Sequence, residues 1–286
     1  MLNPPLSLLS DDLLVSIVEQ LAKLRFTDTS GDLRNLSLAD RAFTHSCQNY
    51  IFRKLKFGSG TKISKQLTKG KKFLEDKPLF SNRVRVIELG VAGEKPEGES
   101  LFKDPEFTSI LELFAKSPMP PYELRFRGWW VGSIIEDPIF LIRQVTESFF
   151  SQTLTILCVR NIANVPLPLF FICPRLREVV LERVGPDNSY DKYPINQCSG
   201  REAPLLEVLE LRDSYTLVEQ IIAPPPMFNT PLVPLSNLRV LSLLPNIEEE
   251  MDCLQPILDA ACNTLEELYL IISSKCGVFD NATRIW

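Results

Sequence analysis

One spacing recurs through most of this chain and narrows what it can fold into. An apolar residue is followed, after two variable positions, by a second, and after one more by a third. The copies are Val84-x-x-Ile87-x-Leu89, Leu154-x-x-Leu157-x-Val159, Leu176-x-x-Val179-x-Leu181, Leu206-x-x-Leu209-x-Leu211, Leu238-x-x-Leu241-x-Leu243 and Leu265-x-x-Leu268-x-Leu270, with a weaker one ending in Leu124-x-Phe126. Neighbouring copies lie between 22 residues (Leu157 to Val179) and 37 residues (Ile87 to Leu124) apart. Alternating apolar residues describe a short strand with one buried face, and the leading apolar residue packs the turn before it. No such strand buries its row alone, so neighbours must stack side by side into a parallel sheet.

The segments between copies then cover one side of that sheet. Residues 109–116, 138–150, 217–222 and 249–261 have helical periodicity. Residues 185–202 and 224–234 hold too much proline and polar residue and are expected to be loops. After the last copy, residues 277–286 trail off without an obvious capping element, as in a frayed final repeat or an incomplete sequence. An ordinary α/β domain with a parallel sheet is the other fold that this pattern permits.

Composition excludes several classes. With 286 residues, 45% of them hydrophobic, the chain can bury a large core, and wholesale disorder is excluded. A net charge of −5 argues against nucleic acid as the main partner. Lysines and arginines do cluster between Arg53 and Lys77, but Ile63, Leu67, Phe73 and Leu74 form an apolar stripe among them. The stripe is helical, broken near Gly70, with the cations on its wet side. Seven cysteines without a CxxC pair suit reduced thiols in a cytoplasmic or nuclear protein. No basic segment precedes the first apolar residues, so no signal peptide is expected, and no apolar stretch approaches a membrane span.

Catalytic chemistry has little to stand on. His45 is the sole histidine, so a hydrolase on an irregular α/β core, a third possible reading, would depend on it. One histidine and scattered cysteines do not make a zinc site. No enzyme activity, cofactor or metal is expected.

The N-terminal stretch has a different pattern. Ser10 is placed to cap a helix, with Asp11 and Asp12 in the first turn, where the helix dipole favours negative charge. Leu13, Leu14, Ile17, Val18 and Leu21 follow at helical spacing. A second helix is expected from Asp32 through Leu33, Leu36 and Leu38, and a third carries Phe43, Cys47, Tyr50, Ile51 and Leu55. Gly58 and Gly60 mark a hinge. Three short helices make a small core, so part of their apolar surface should face another body.

These residues resemble the F-box motif. Leu9, Asp12, Leu13, Leu14, Ile17 and Leu21 match its first helix, and Leu33, Leu36, Ser37, Leu38, Arg41, Phe43 and Phe52 the remainder. Ser10 stands where the family usually has proline, and residues 22–31 lengthen the first break. The repeats resemble the irregular leucine-rich repeats found behind F-boxes, with the usual repeat-ending asparagine present only at Asn161. The resemblance implies an F-box helical domain at 1–57 and a leucine-rich-repeat-like domain at 58–286. The fold class is then an α/β solenoid, three helices leading into a curved stack with its parallel sheet on the concave side.

What the resemblance implies for function is a substrate-recognition subunit of a Skp–cullin–F-box ubiquitin ligase, serving ubiquitin-dependent degradation. Its partners would be a Skp-family adaptor, through it a cullin, and a target protein, with neither nucleic acid nor membrane. Leu9, Ser10, Leu13, Leu14, Ile17, Leu36, Leu38 and Phe43 would dock the adaptor. Strand alternation adds the target side: positions flanking the last two apolar residues of each copy point away from the core. These are Glu88, Arg125, Arg127, Arg160, Glu178, Glu182, Glu210, Arg212 and Tyr269. They suggest a face with a positive end and a negative middle. The alternative is a leucine-rich-repeat interaction scaffold with a helical cap and no role in ubiquitination.

Overall fold

In the computed structural model, residues 10–23, 29–58, 63–91, 101–129, 131–187, 202–222, 233–244, 254–270 and 283–285 are described. Three helices come first: α1 (Asp11–Lys23), α2 (Thr29–Ala39) and α3 (Arg41–Ile51). Their starts follow the sequence logic. The Leu13 amide donates to Ser10 Oγ at 3.4 Å, and the Ala42 amide donates to Asp40 Oδ1 at 2.9 Å. Leu14, Val18, Leu33, Phe43 and Cys47 close a small core of their own, separate from the main one.

The rest is one sheet, its strands lying side by side in chain order: β1 (Lys54–Phe57), β2 (Val86–Val91), β3 (Glu123–Gly128), β4 (Ile156–Arg160), β5 (Glu178–Glu182), β6 (Val208–Arg212), β7 (Val240–Leu244), β8 (Glu267–Leu270) and β9 (Thr283–Ile285). The first eight are parallel and the ninth runs antiparallel to β8. Register follows the repeats. Leu55, Ile87, Leu124, Leu157, Val179, Leu209, Leu241 and Leu268 form one row across the eight parallel strands. Phe57, Leu89, Phe126, Val159, Leu181, Leu211, Leu243 and Leu270 form the next.

The strand starts are equally regular. The carbonyls of Arg53, Arg85, Tyr122, Thr155, Arg177, Glu207 and Arg239 each accept two successive amides from the following strand, at 2.7–3.2 Å. Strands β4, β5 and β6 are each followed by a residue at positive φ: Asn161 (59°), Arg183 (54°) and Asp213 (49°).

Against the apolar rows pack α4 (Ile63–Asp76), α5 (Pro105–Ala115), a single turn α6 (Pro138–Phe140) that runs on as a π-helical segment Leu141–Phe150, α7 (Tyr215–Ile222) and α8 (Leu254–Ala261). Leu67, Phe107, Ile110, Leu111, Leu141, Leu217 and Ile257 are at most 2% exposed there.

Several expectations need correction. Leu55 is in a strand, not in α3. The chain joins the sheet at Lys54, before the boundary expected at 57, and Leu55-x-Phe57 is a further copy of the repeat. Helix α4 continues through Gly70, because burial of Ile63, Leu67 and Leu74 offsets the roughly 1 kcal/mol that a helical glycine costs. The end of the chain supplies β9. Helix α2 begins at Thr29, which shortens the break expected at 22–31. Helix α5 starts four residues before the expected 109, where Asp104 caps it and Pro105 occupies its first turn. Residues 59–60 of the hinge, 188–201 and 224–232 of the loops, and 249–253 of the last helix lie outside the described residues.

Candidate partner-binding surfaces

Two surfaces carry the residues singled out by sequence. The first is on the N-terminal helices. Leu13 is 53% exposed, Ile17 42% and Leu38 84%, and Val15, absent from the expected set, is also exposed. Ser10 is exposed at the start of α1. Leu14 and Phe43, expected at the docking surface, lie instead in the interior, at 4% and 2% exposure. The reason is helical phase: Leu14 and Val18, four residues apart, turn inward, while Leu13 and Ile17 lie one step around the helix. Leu36 is half-buried against the same small core, and Leu9 lies outside the described residues.

The helices are tied together and to the sheet by polar and aromatic contacts. Tyr50 Oη donates to Glu19 Oε1 at 2.9 Å, joining α3 to α1. Arg83 donates to Gln48 Oε1 at 3.0 Å, Arg53 donates to Tyr122 Oη at 2.7 Å, and the Phe52 ring meets Phe80 edge-on at 4.4 Å. Burial and the Glu19 carboxylate push the Tyr50 phenol up. His45 is exposed on α3.

The second surface is the sheet face opposite the helices. Register places Lys56, Glu88, Arg125, Cys158, Val180, Glu210, Ser242 and Tyr269 in one row. Gly90, Arg127, Arg160, Glu182 and Arg212 lie in another, toward the strand ends. Glu178 lies in a third row of the same side, at the strand starts, between Ile156 and Val208, so all nine expected residues share this side. Part of this charge is neutralised by neighbours, while Arg127, Glu178 and Glu210 make no ion pair among the described residues. Glu88 is bridged by Lys54 and, at 3.6 Å, by Lys56; Arg125 is bound by Glu123. Glu182 receives Arg160 at 3.3 Å, Arg212 at 3.6 Å and Arg183 at 3.8 Å. Tyr269 donates to Glu267.

These pairings set the titration behaviour. Burial pushes the Glu88 carboxyl up, but Lys54, Lys56 and Arg125 outweigh it and hold the group below the usual carboxylate range. Burial pulls Lys54 down against the pull of Glu88. Glu178 is the opposite case. Burial, then Glu210 and Glu123, push its carboxyl above the usual range, with Arg125 only partly compensating. Burial also raises the Cys158 thiol. Cys47, Cys158 and Cys173 are buried, and Cys262 is exposed.

Sequence reasoning missed the loop after β3. Trp129 is 63% exposed, Val131 68% and Ile134 38%. The signal was available, since Trp129 and Val131 lie two and four residues after Arg127, but strand alternation says nothing of residues beyond the strand. Among the described residues, no group of three or more His, Cys, Asp or Glu is arranged to hold a metal, and no helix is long and apolar enough to cross a membrane.

The chain is thus an α/β protein built on a single open sheet with eight parallel strands. No protein-family model, curated protein or solved structure matches it in comparison.

Proposed function

We propose that this chain is the substrate-recognition subunit of a Skp–cullin–F-box type ubiquitin ligase, and not itself an enzyme. Its three N-terminal helices dock a Skp-family adaptor and, through it, a cullin. A target protein is held on the sheet side, where the ligase's catalytic subunits reach it. One observation carries the reading. The helices complete their own core with Leu14, Val18, Leu33, Phe43 and Cys47, and still leave Leu13, Val15, Ile17 and Leu38 exposed. Exposed large apolar side chains one helical turn apart, as Leu13 and Ile17 are, mark a contact with a second protein. The in-register apolar rows of β1–β8 support the repeat-like reading of the remainder, a leucine-rich solenoid.

Co-expression with a Skp-family adaptor tests it. The wild type should co-purify with the adaptor, and Leu13→Ala with Ile17→Ala should weaken the complex about a hundredfold, since burying one such side chain contributes about 1.5–3 kcal/mol. Equal recovery of wild type and double variant, or no recovery of either, would overturn the assignment. In the latter case the scaffold reading remains, with the helices as a cap. The packing of Phe52 on Phe80 and the Arg83–Gln48 bond favour that reading.

A further inference from the structure

The loop that leaves β3 is held unusually firmly for one that exposes so much apolar surface. At its start, a Cβ added to Gly128 would lie 2.2 Å from the carbonyl oxygen of Asn161 and 2.7 Å from Ser133 Cβ, so the loop lies hard against the turn leaving β4. Gly132 takes a φ of +87°, a conformation that other residues rarely adopt. Ser133 bridges Ile162 in parallel, and the Ala163 amide donates to the Ser133 carbonyl at 2.9 Å. The Asn164 side chain then grips Ile135 from both sides: the Ile135 amide donates to Oδ1 at 2.7 Å, and Nδ2 donates to the Ile135 carbonyl at 2.9 Å. Ile135 itself is 1% exposed, an anchor in the main core. Between these fixings, Trp129 and Val131 are held out to solvent.

Beside them, at the end of β3, Arg127 is exposed and makes no ion pair among the described residues. Its register neighbours explain this. On one side lies Gly90, without a side chain, and on the other Arg160, of like charge and already bridged to Glu182. The other expected arginines of this face, Arg125, Arg160 and Arg212, each have a carboxylate. A cation without an ion pair among the described residues, two positions from an exposed indole, combines residue types that often dominate the energy of protein contacts. Because Gly128, Ser133 and Ile135 are fixed on either side of these side chains, binding there costs less conformational entropy.

We infer that Arg127, Trp129 and Val131 form a docking site for an extended segment of a partner protein that carries carboxylates beside aromatic or aliphatic side chains. The inference deepens the reading of the sheet side as the target-holding part and rests on that reading for the partner's being a substrate. Arg127 would pair with a carboxylate, and Trp129 and Val131 would cover the adjoining apolar side chain.

The test is a selection of random twelve-residue peptides displayed on phage against the purified full chain. Asp or Glu next to Phe, Leu or Trp should be enriched. A synthetic peptide of the selected sequence should bind at least about tenfold more weakly to Trp129→Ala with Val131→Ala, measured by fluorescence anisotropy. Arg127→Glu should turn the selection toward Lys and Arg. All three positions are exposed, where substitutions seldom move stability by more than about 0.5 kcal/mol, and unchanged thermal melting would confirm intact folding. No enrichment, enrichment without acidic residues, or equal binding by the variants would overturn the proposal. Replacing Glu94, Glu97 and Glu99 by Gln supplies a further arm: a gain in peptide affinity would assign Arg127 to the chain's own segment 92–100, against the proposal. Adaptor binding through Leu13 and Ile17 is measured separately, so failure here and failure of the ligase reading are told apart.

Discussion

Gly128, the last residue of β3, lies so close to the carbonyl oxygen of Asn161 that a methyl group on it would come within 2.2 Å of that oxygen. Both belong to the turns by which neighbouring strands leave the sheet, and Asn161 itself has a φ of 59°. Gly128→Ala should therefore force the two turns apart. Overpacking of this kind costs about 1–3 kcal/mol, and a rigid backbone neighbour puts the result toward the upper end. Urea unfolding should show the loss as a lower midpoint, and an unchanged midpoint would mean that the turns yield freely.

Asn164 holds the same loop by its side chain, with two hydrogen bonds to the backbone of Ile135. Asn164→Ala removes both, at about 1–3 kcal/mol in total. The effect should be local. Amide hydrogen exchange should accelerate at Ile135 while amides in the middle of β5 and β6 keep their protection.

The separation of the two apolar cores makes Leu14 a stability position and its neighbour Leu13 a binding position. Leu14→Ala should destabilise the N-terminal helices by about 2–5 kcal/mol. Hydrogen exchange should quicken across α1–α3 and stay as it was in β4–β6. Leu13→Ala, at a half-exposed site, should leave both unchanged. Equal effects from the two substitutions would contradict the helical phase described above.

Glu88 and Glu178 share a sheet face and should respond oppositely to loss of charge. Glu88 titrates below its ordinary value, so its stabilising contribution is complete above the usual carboxylate range and disappears as pH falls through its folded pKa. Glu178 titrates above its ordinary value, so its charge opposes folding at neutral pH, and that opposition disappears as pH falls below the unfolded value. At pH 7, Glu88→Gln should lower Tm and Glu178→Gln should raise it. Both differences should shrink below about pH 4, where an ordinary carboxyl group is protonated. A fall in Tm for both variants at pH 7 would refute the assignment for Glu178.

Much of the sheet could be read from spacing alone. The seven copies named from sequence align row by row, Ile87 beside Leu124 beside Leu157 and onward, because side chains alternating at period two fix both face and register. The eighth copy, Leu55-x-Phe57, was hidden. Leu55 also fits a helical spacing after Ile51, and the choice between strand and helix was made by pairing with β2, a contact more than thirty residues away. Charge on the sheet face was legible in position but not in balance. Which carboxylate neutralises which cation depends on partners one to thirty-four residues apart, such as Glu182 with Arg183 or Lys54 with Glu88. On α1, periodicity located the apolar residues, but the division between Leu13 and Leu14 depended on where α3 packs.

The strands lie beside one another in the order in which the chain makes them. Strand pairing therefore joins one segment to the next, without waiting for a distant part of the polypeptide to arrive. Assembly can begin at any adjacent pair and spread outward in both directions, each added strand finding its seat on an edge that is already there.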